Sequence, residues 1–359
     1  MRPSRLSQPG LLGPALPFVL ALTVVAGPAR ADEVVLVPGS TVKGAVGGRI
    51  RGQVQAETAA EVTVALGATT TTVPTDQIAS VSYAGQPASL TLAESRESGG
   101  QLAEAADLYK KAAGEAAAKP LLANAARFKE ADVTADLALA DPGKVAEAVR
   151  LLDAFLRANP NGRQTGSALE SLARLQLQGG DFAKVDKTIA DLAKLPTGND
   201  RAAVLRARLS ARKGDHAKAI EELDKLAKSA PNGSALQRES RLARAQSLAG
   251  LKKFAEAEAE ALAVIKALPP EDVPAQSAAY NTLGDCLRSA GRPKDALLAY
   301  LHTDLLYAKD KEQHPRALAE ISRLWRELKR DDRADEVWQR LKQDYPKSPY
   351  LTTARTPAP

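Results

Sequence analysis

The sequence predicts a mainly α fold: a curved solenoid of stacked helix pairs, preceded by a small all-β unit. Three observations predict it. A short tag, a Gly or polar turn followed by an Ala/Leu-rich amphipathic run, recurs from about residue 100 to 340. Leu and Ala, both good helix formers, dominate around the tags. Aromatics make up only 4% of the chain, so its core must be aliphatic. Residues 32–86 have another texture, rich in Val and Thr, with alternation replacing helical spacing.

Met1–Ala31 reads as a segment outside the fold. Arg2 and Arg5 make a basic start, Leu11–Gly27 is apolar but broken by Pro14 and Pro17, and Ala29-Arg30-Ala31 offers small residues at the two positions a signal peptidase reads. This resembles a secretory signal peptide cut after Ala31. The competing reading, an uncut membrane anchor, meets the prolines and a run short of the roughly 20 apolar residues a span needs. The mature chain has no later apolar run of that length. These residues imply an exported protein, periplasmic or secreted.

The stretch 32–86 breaks into short strands: Val34–Val37, Thr41–Val46, Arg49–Gln55, Glu61–Leu66 and Thr69–Val73. One helical turn then precedes a last strand, Val81–Tyr83. Short strands with Gly turns suggest a small barrel, and the late single turn resembles the order of an SH3-like barrel. Tyr83 is its only aromatic, so a groove for Pro-rich peptides is not implied. A cap on the first helices, or a docking module, is the expectation. Gly85–Ser89 is too short for a free linker, which places the barrel against those helices.

The tags read Gly100-Gln101-Leu102-Ala103-Glu104-Ala105, Gly143-Lys144-Val145-Ala146-Glu147-Ala148 and Gly180-Asp181-Phe182-Ala183-Lys184-Val185. They continue as Gly214-Asp215-His216-Ala217-Lys218-Ala219, Lys252-Lys253-Phe254-Ala255-Glu256-Ala257 and Gly291-Arg292-Pro293-Lys294-Asp295-Ala296, with a degenerate copy ending at Ala334. Their last residues lie 34 to 43 positions apart. Pro160, Pro231, Pro269 and Pro346 follow, where proline stops a second helix. The clearest stretch is Asn281–Pro346, two pairs in succession. This pattern resembles the tetratricopeptide repeat family over Ala88–Pro346, which implies about seven helix pairs in a right-handed superhelix, a scaffold and not a chemistry. One pair cannot bury its apolar stripe alone; stacked pairs bury a continuous core. The tail, 347–359, is expected to be disordered.

Composition narrows the function. Net charge is +6, of which residues 1–31 carry three arginines and no acid, so the remainder is near +3, not a nucleic-acid-binding balance. One cysteine, Cys286, allows no internal disulfide. Cys286 falls on the packed face of a helix and reads as a buried, inert thiol; the sharper reading, a nucleophile paired with His302, is weakened because burial suppresses thiolate. His216, His302 and His314 share no metal-ligand spacing, and no phosphate loop or nucleophile elbow is present. No catalytic, cofactor or metal site is expected.

One asymmetry suggests a binding face. The first helix of one pair runs Arg201, Arg206, Arg208, Arg212, Lys213, while its partner helix carries Asp215, Glu221, Glu222 and Asp224. First helices of the resembled family line the concave groove. Aligning the repeats puts Arg174, Arg208 and Arg323 at equivalent positions, with Arg201, Arg288 and Arg326 beside them. Arginine there can fork onto carboxylates or phosphates. Against this stands plain charge matching within the helix pairs, which is cheap to drift. The family's carboxylate-gripping subset uses a Lys/Asn pattern that Asn281 and Asp285 do not reproduce, so recognition of a C-terminal carboxylate is not implied. The sequence thus points to a non-catalytic scaffold binding proteins or extended, acidic peptides, in assembly or maintenance of a bacterial envelope. The alternative is a module binding an envelope polyanion, glycan or lipid headgroup, through the arginines.

Overall fold

A computed structural model describes residues 31–37, 39–346, 348 and 350–355. The expected signal segment lies, but for Ala31, outside the described residues.

Five strands open the fold: β1 (Asp32–Leu36), β2 (Arg49–Glu57), β3 (Glu61–Leu66), β4 (Thr69–Pro74) and β5 (Ile78–Ser82). They form one antiparallel sheet in the order β4-β3-β2-β1-β5. The alternation read from sequence is real: Val34, Leu36, Ile50, Val54, Val62, Val64 and Val73 form its buried face. Two expectations are corrected. Thr41–Val46 is not a strand, because Gly44, Gly47 and Gly48 take positive φ and bend the chain; Val42 and Ala45 instead fold onto the sheet. The sheet does not close into a barrel, since β4 and β5 are its two edges and do not pair. Pro74 has no N–H to offer, and the three-residue 3-10 turn Thr75–Gln77 carries the chain to the far edge without folding it back.

This open sheet is docked on the helices. Glu57 takes Arg163 at 3.2 Å and the Tyr83 hydroxyl at 2.7 Å. The Ala59 N–H donates to the Asn161 carbonyl at 2.8 Å, and Lys119 Nζ donates to the carbonyls of Ala84 and Gly85. Asp32 accepts the backbone N–H groups of Val54 and Ala84, fastening the first strand to the end of the last.

Seven helical hairpins follow: α1 (Ala88–Ser98) with α2 (Leu102–Glu115), α3 (Pro120–Ala140) with α4 (Val145–Ala158), α5 (Thr165–Gly179) with α6 (Phe182–Ala193), α7 (Asn199–Arg212) with α8 (His216–Ser229), α9 (Ala235–Gly250) with α10 (Phe254–Ala267), α11 (Val273–Ser289) with α12 (Pro293–Leu306), and α13 (Gln313–Glu327) with α14 (Asp331–Asp344). Each recurring tag is the turn inside a hairpin plus the first turn of its second helix. The chain reverses through a left-handed residue at Gly100, Gly180, Gly214 and Gly291, and at Lys252 and Lys329 where no glycine stands. The tags' last residues, Ala105, Ala148, Val185, Ala219, Ala257, Ala296 and Ala334, are all fully buried. They are the small knobs that let paired helices approach. Pro160, Pro231, Pro269 and Pro346 each stand two residues beyond a second helix.

The tail differs from expectation. Tyr350–Thr353 forms a short helix, α15, whose Tyr350 and Leu351 pack on Leu318 and Leu341. Ser322 Oγ donates to the Ala354 carbonyl and Trp338 Nε1 to that of Leu351, so the segment covers apolar surface that the last hairpin would otherwise expose. Across the arc the first hairpin comes near the last: a Cβ placed on Gly100, in the first hairpin's turn, would lie 3.1 Å from Lys311 Cγ, in the loop before α13.

Candidate functional site

The first helices from α3 to α13 form an inner wall, and two cavities of about 740 and 820 Å3 run along it. The smaller is lined mainly by α5, α7, α9 and α11, the larger by α3, α5, α7 and α9 with Glu97, Lys311, Glu312 and Tyr350 closing its far side. Position follows from pattern. A first helix spends one apolar stripe on its own partner and another on the next hairpin, which leaves a third face, bearing the arginines, turned inward.

Three of the six candidate arginines are brought together there. Arg174 and Arg208 line both cavities, and Arg201 lines the smaller. Arg288, Arg323 and Arg326 line neither. Arg323 is largely buried and bonded to Glu320 at 3.0 Å, Arg288 faces the same Glu320 at 3.6 Å, and Arg326 pairs with Asp335 at 2.5 Å. Repeat register does not foresee this: Glu320, one turn before Arg323 on α13, draws in both Arg323 and Arg288, and Arg326 at the end of α13 meets the acidic start of α14.

The inward arginines are also not free. Arg201 and Arg208 both pair with Glu239, each at 2.7 Å, and Arg174 pairs with Asp136 at 3.3 Å. Arg238 and Arg316, which are not among the six candidates, join the wall and pair with Asp272 and Asp285. Five arginines and five carboxylates line the smaller cavity, so it carries no net positive field. The signal that would have found these partners is the repeat period itself. Arg201 and Glu239, like Asp136 and Arg174, are 38 residues apart, one repeat, and so face each other on adjacent first helices.

Burial pushes the Asp136 carboxyl up to about 6; Arg174 works against that, while Asp132 and Glu312 add to it. The folded form therefore holds this proton where the unfolded chain has released it. Stability contributed by protonated Asp136 is full below the ordinary carboxylate range and is lost as pH rises to about 6. Asp136→Asn is expected to flatten the dependence of urea midpoint on pH between about 4 and 6. A variant whose profile parallels wild type removes Asp136 as its source.

Other polar clusters are structural. Burial pushes the Cys286 thiol up to about 12, and its Sγ faces the Ala245 carbonyl at 3.8 Å; the ring of His302 is stacked on Tyr280 at 4.5 Å. His314 is buried in α13, bonded to Asp304 at 2.9 Å and to the Tyr345 hydroxyl at 2.8 Å, and Arg340 completes this lock between the last two hairpins. Among the described residues no group of three or more His, Cys, Asp or Glu is placed to hold a metal ion, and no helix is long and apolar enough to cross a membrane.

Comparison with known proteins agrees with this architecture. Tetratricopeptide repeat profiles match residues 137–184 and 242–302, and a second one matches 317–348. A tetratricopeptide repeat protein from Parabacteroides merdae superposes with a TM-score of 0.49 at 16% identity, covering 75% of this chain and 98% of its own. A Rap protein, solved in complex with competence and sporulation factor, gives 0.50 at 13% identity over 74% of this chain and 79% of its own. PilW, a type IV pilus biogenesis factor, gives 0.41 at 17% identity over 60% and 92%. At such identities the likeness is one of fold. No curated protein matches by sequence.

Proposed function

We propose that this chain, whose helical part is a tetratricopeptide repeat solenoid, is an exported scaffold that holds an extended polypeptide along its inner wall. The repeat fold supports a role in protein–protein interaction. One observation carries the finer reading: the first helices of consecutive repeats together line two adjoining cavities, which share Arg174, Arg208 and Gln246. A trough of that form accepts a strand-like ligand, with apolar surface at Leu242 and Ala278 flanked by Arg–Glu pairs. Equal numbers of arginines and carboxylates in the smaller cavity favour a peptide over a polyanion, because a glycan or lipid polyanion needs unbalanced positive charge. Export rests on the Met1–Ala31 pattern, and an envelope role follows from export.

A photo-crosslinking residue placed at Gln246 or Ser167, on the inner wall, is expected to capture polypeptide from an extract of the source cell. The same residue at Leu298, exposed on the outer face of α12, is expected to capture none. Adducts arising only from Leu298 would overturn the inner-wall reading.

A further inference from the structure

Of the arginines lining the two cavities, five are neutralised within the chain and one is not. Arg174, Arg201, Arg208, Arg238 and Arg316 have carboxylate partners. Arg212, the last residue of α7, lines the larger cavity and has no hydrogen bond or ion pair among the described residues. Two more unpartnered groups line the same cavity. Ser247 is 1% exposed, yet its Oγ has no hydrogen-bond partner. Its neighbour on α9, Ser240, shows the usual alternative, bonding back to the Leu236 carbonyl at 2.7 Å. His216 Nδ1 is likewise buried without a partner. The His216 ring lies against Gly250, where a Cβ would sit 2.4 Å from Cε1, and Gly250 is three residues from Ser247 on one face of α9. Arg212 and His216 flank the α7–α8 turn, so all three groups gather at one corner. Its floor is small and apolar, with Ala207, Ala211 and Ala243.

We infer that this corner binds a carboxylate borne by an acidic side chain of the peptide held in the trough. Arg212 supplies the charge, and the Ser247 hydroxyl and the His216 ring N–H supply hydrogen bonds. The inference rests on the inner-wall reading and sharpens it. Charge elsewhere along the wall is largely satisfied, so the ligand is an extended segment with an isolated Asp or Glu, not an acidic tract. Neighbouring charges leave the corner available: Lys213 is held by Asp186 at 3.1 Å, and Asp215 Oδ1 accepts the Lys218 N–H of its own helix. On the α13 side of the same cavity Glu312, an acid without a basic partner, stands beside Lys311, whose Nζ lies over the Tyr345 ring at 5.7 Å, so the two charges offset each other there and the anion-accepting end is at α7–α9.

The probe is a displayed library of random nine-residue peptides selected on the full chain. A selected peptide and its amide analogue, Glu replaced by Gln or Asp by Asn, are titrated against wild type, R212Q, S247A and R201Q. Wild type is expected to lose about tenfold in affinity with the amide analogue. R212Q is expected to bind both peptides equally and weakly, S247A to narrow the difference, and R201Q to keep it. Arg212 is exposed at a helix end, so R212Q folds, which circular dichroism verifies. Wild type indifferent to the amide swap, or a preference that survives R212Q, overturns the corner and leaves the trough standing. Selection of no peptide at all overturns the trough, and the corner with it.

Discussion

Gly284→Val is expected to destabilise the chain by about 3 kcal/mol, the steep end for overpacking a core. Gly284 lies in α11 directly beneath the ring of Tyr300 in α12, and a Cβ there would stand 2.6 Å from Cζ and 2.8 Å from both Cε atoms. Tyr300 cannot yield. It is fully buried, and its hydroxyl is tied to Asp285 at 2.6 Å. The sixth hairpin must therefore splay, and because stability in such arrays is shared only with neighbours, α10 and α13 lose packing too. Gly114→Ala is the control. Gly114 sits in α2 with nothing but its own chain neighbours and helix backbone within 4 Å of where the added methyl would stand, so the change is expected to be neutral or to stabilise by up to about 1 kcal/mol through helix propensity. Urea denaturation of both variants checks the pair. A Gly284→Val midpoint matching that of wild type would show that the crossing is not tight.

Asp285→Ala is expected to cost about 2–3 kcal/mol. Asp285 joins three helices: it accepts the Tyr300 hydroxyl from α12 and pairs with Arg316 of α13. Truncation leaves a phenol and a guanidinium unpaired together. A fully buried pair broken this way costs about 3–5 kcal/mol, and the figure is reduced here because each partner keeps about a quarter of its side chain in contact with water. The charge of Asp285 is the main cause of the raised affinity of Arg316 for its proton; without it Arg316 falls back toward the ordinary arginine range, still far above neutral pH, so the guanidinium stays charged when left alone. Removing both charges, in Asp285→Ala with Arg316→Ala, is expected to cost less than the sum of the single changes. Strict additivity in the denaturation free energies would show that the pair is not coupled.

Much of this architecture was legible because the repeat writes itself in small residues and turns. Ala105 through Ala334 mark the buried crossings, and the prolines mark the ends of second helices, since both are local requirements of backbone and bulk. What was illegible is what depends on neighbours. Thr41–Val46 has strand composition, but Gly44 within it and Gly47 and Gly48 just after it, all with positive φ, override it. Arg323 and Arg326 align with inward positions, yet Glu320 of the same helix takes up Arg323, and α14, where a further repeat would otherwise stack, takes up Arg326 through Asp335. The trailing Tyr350–Thr353 carries no strong helical pattern and folds only because Leu318 and Leu341 need a cover. The pairing of Arg201 with Glu239 spans one period, where a search for helical i,i+4 partners does not look.

The meeting of Gly100 with Lys311 changes how the molecule can come apart. A linear stack frays from either end, each terminal unit detaching on its own and leaving the rest intact. Here the first hairpin's turn lies against the Lys311 stem in the loop before the last hairpin, so fraying at either place also exposes the other. Amide protons near Gly100 and near Lys311, more than two hundred positions apart in sequence, are thereby expected to gain protection together, as the two halves of a clasp do.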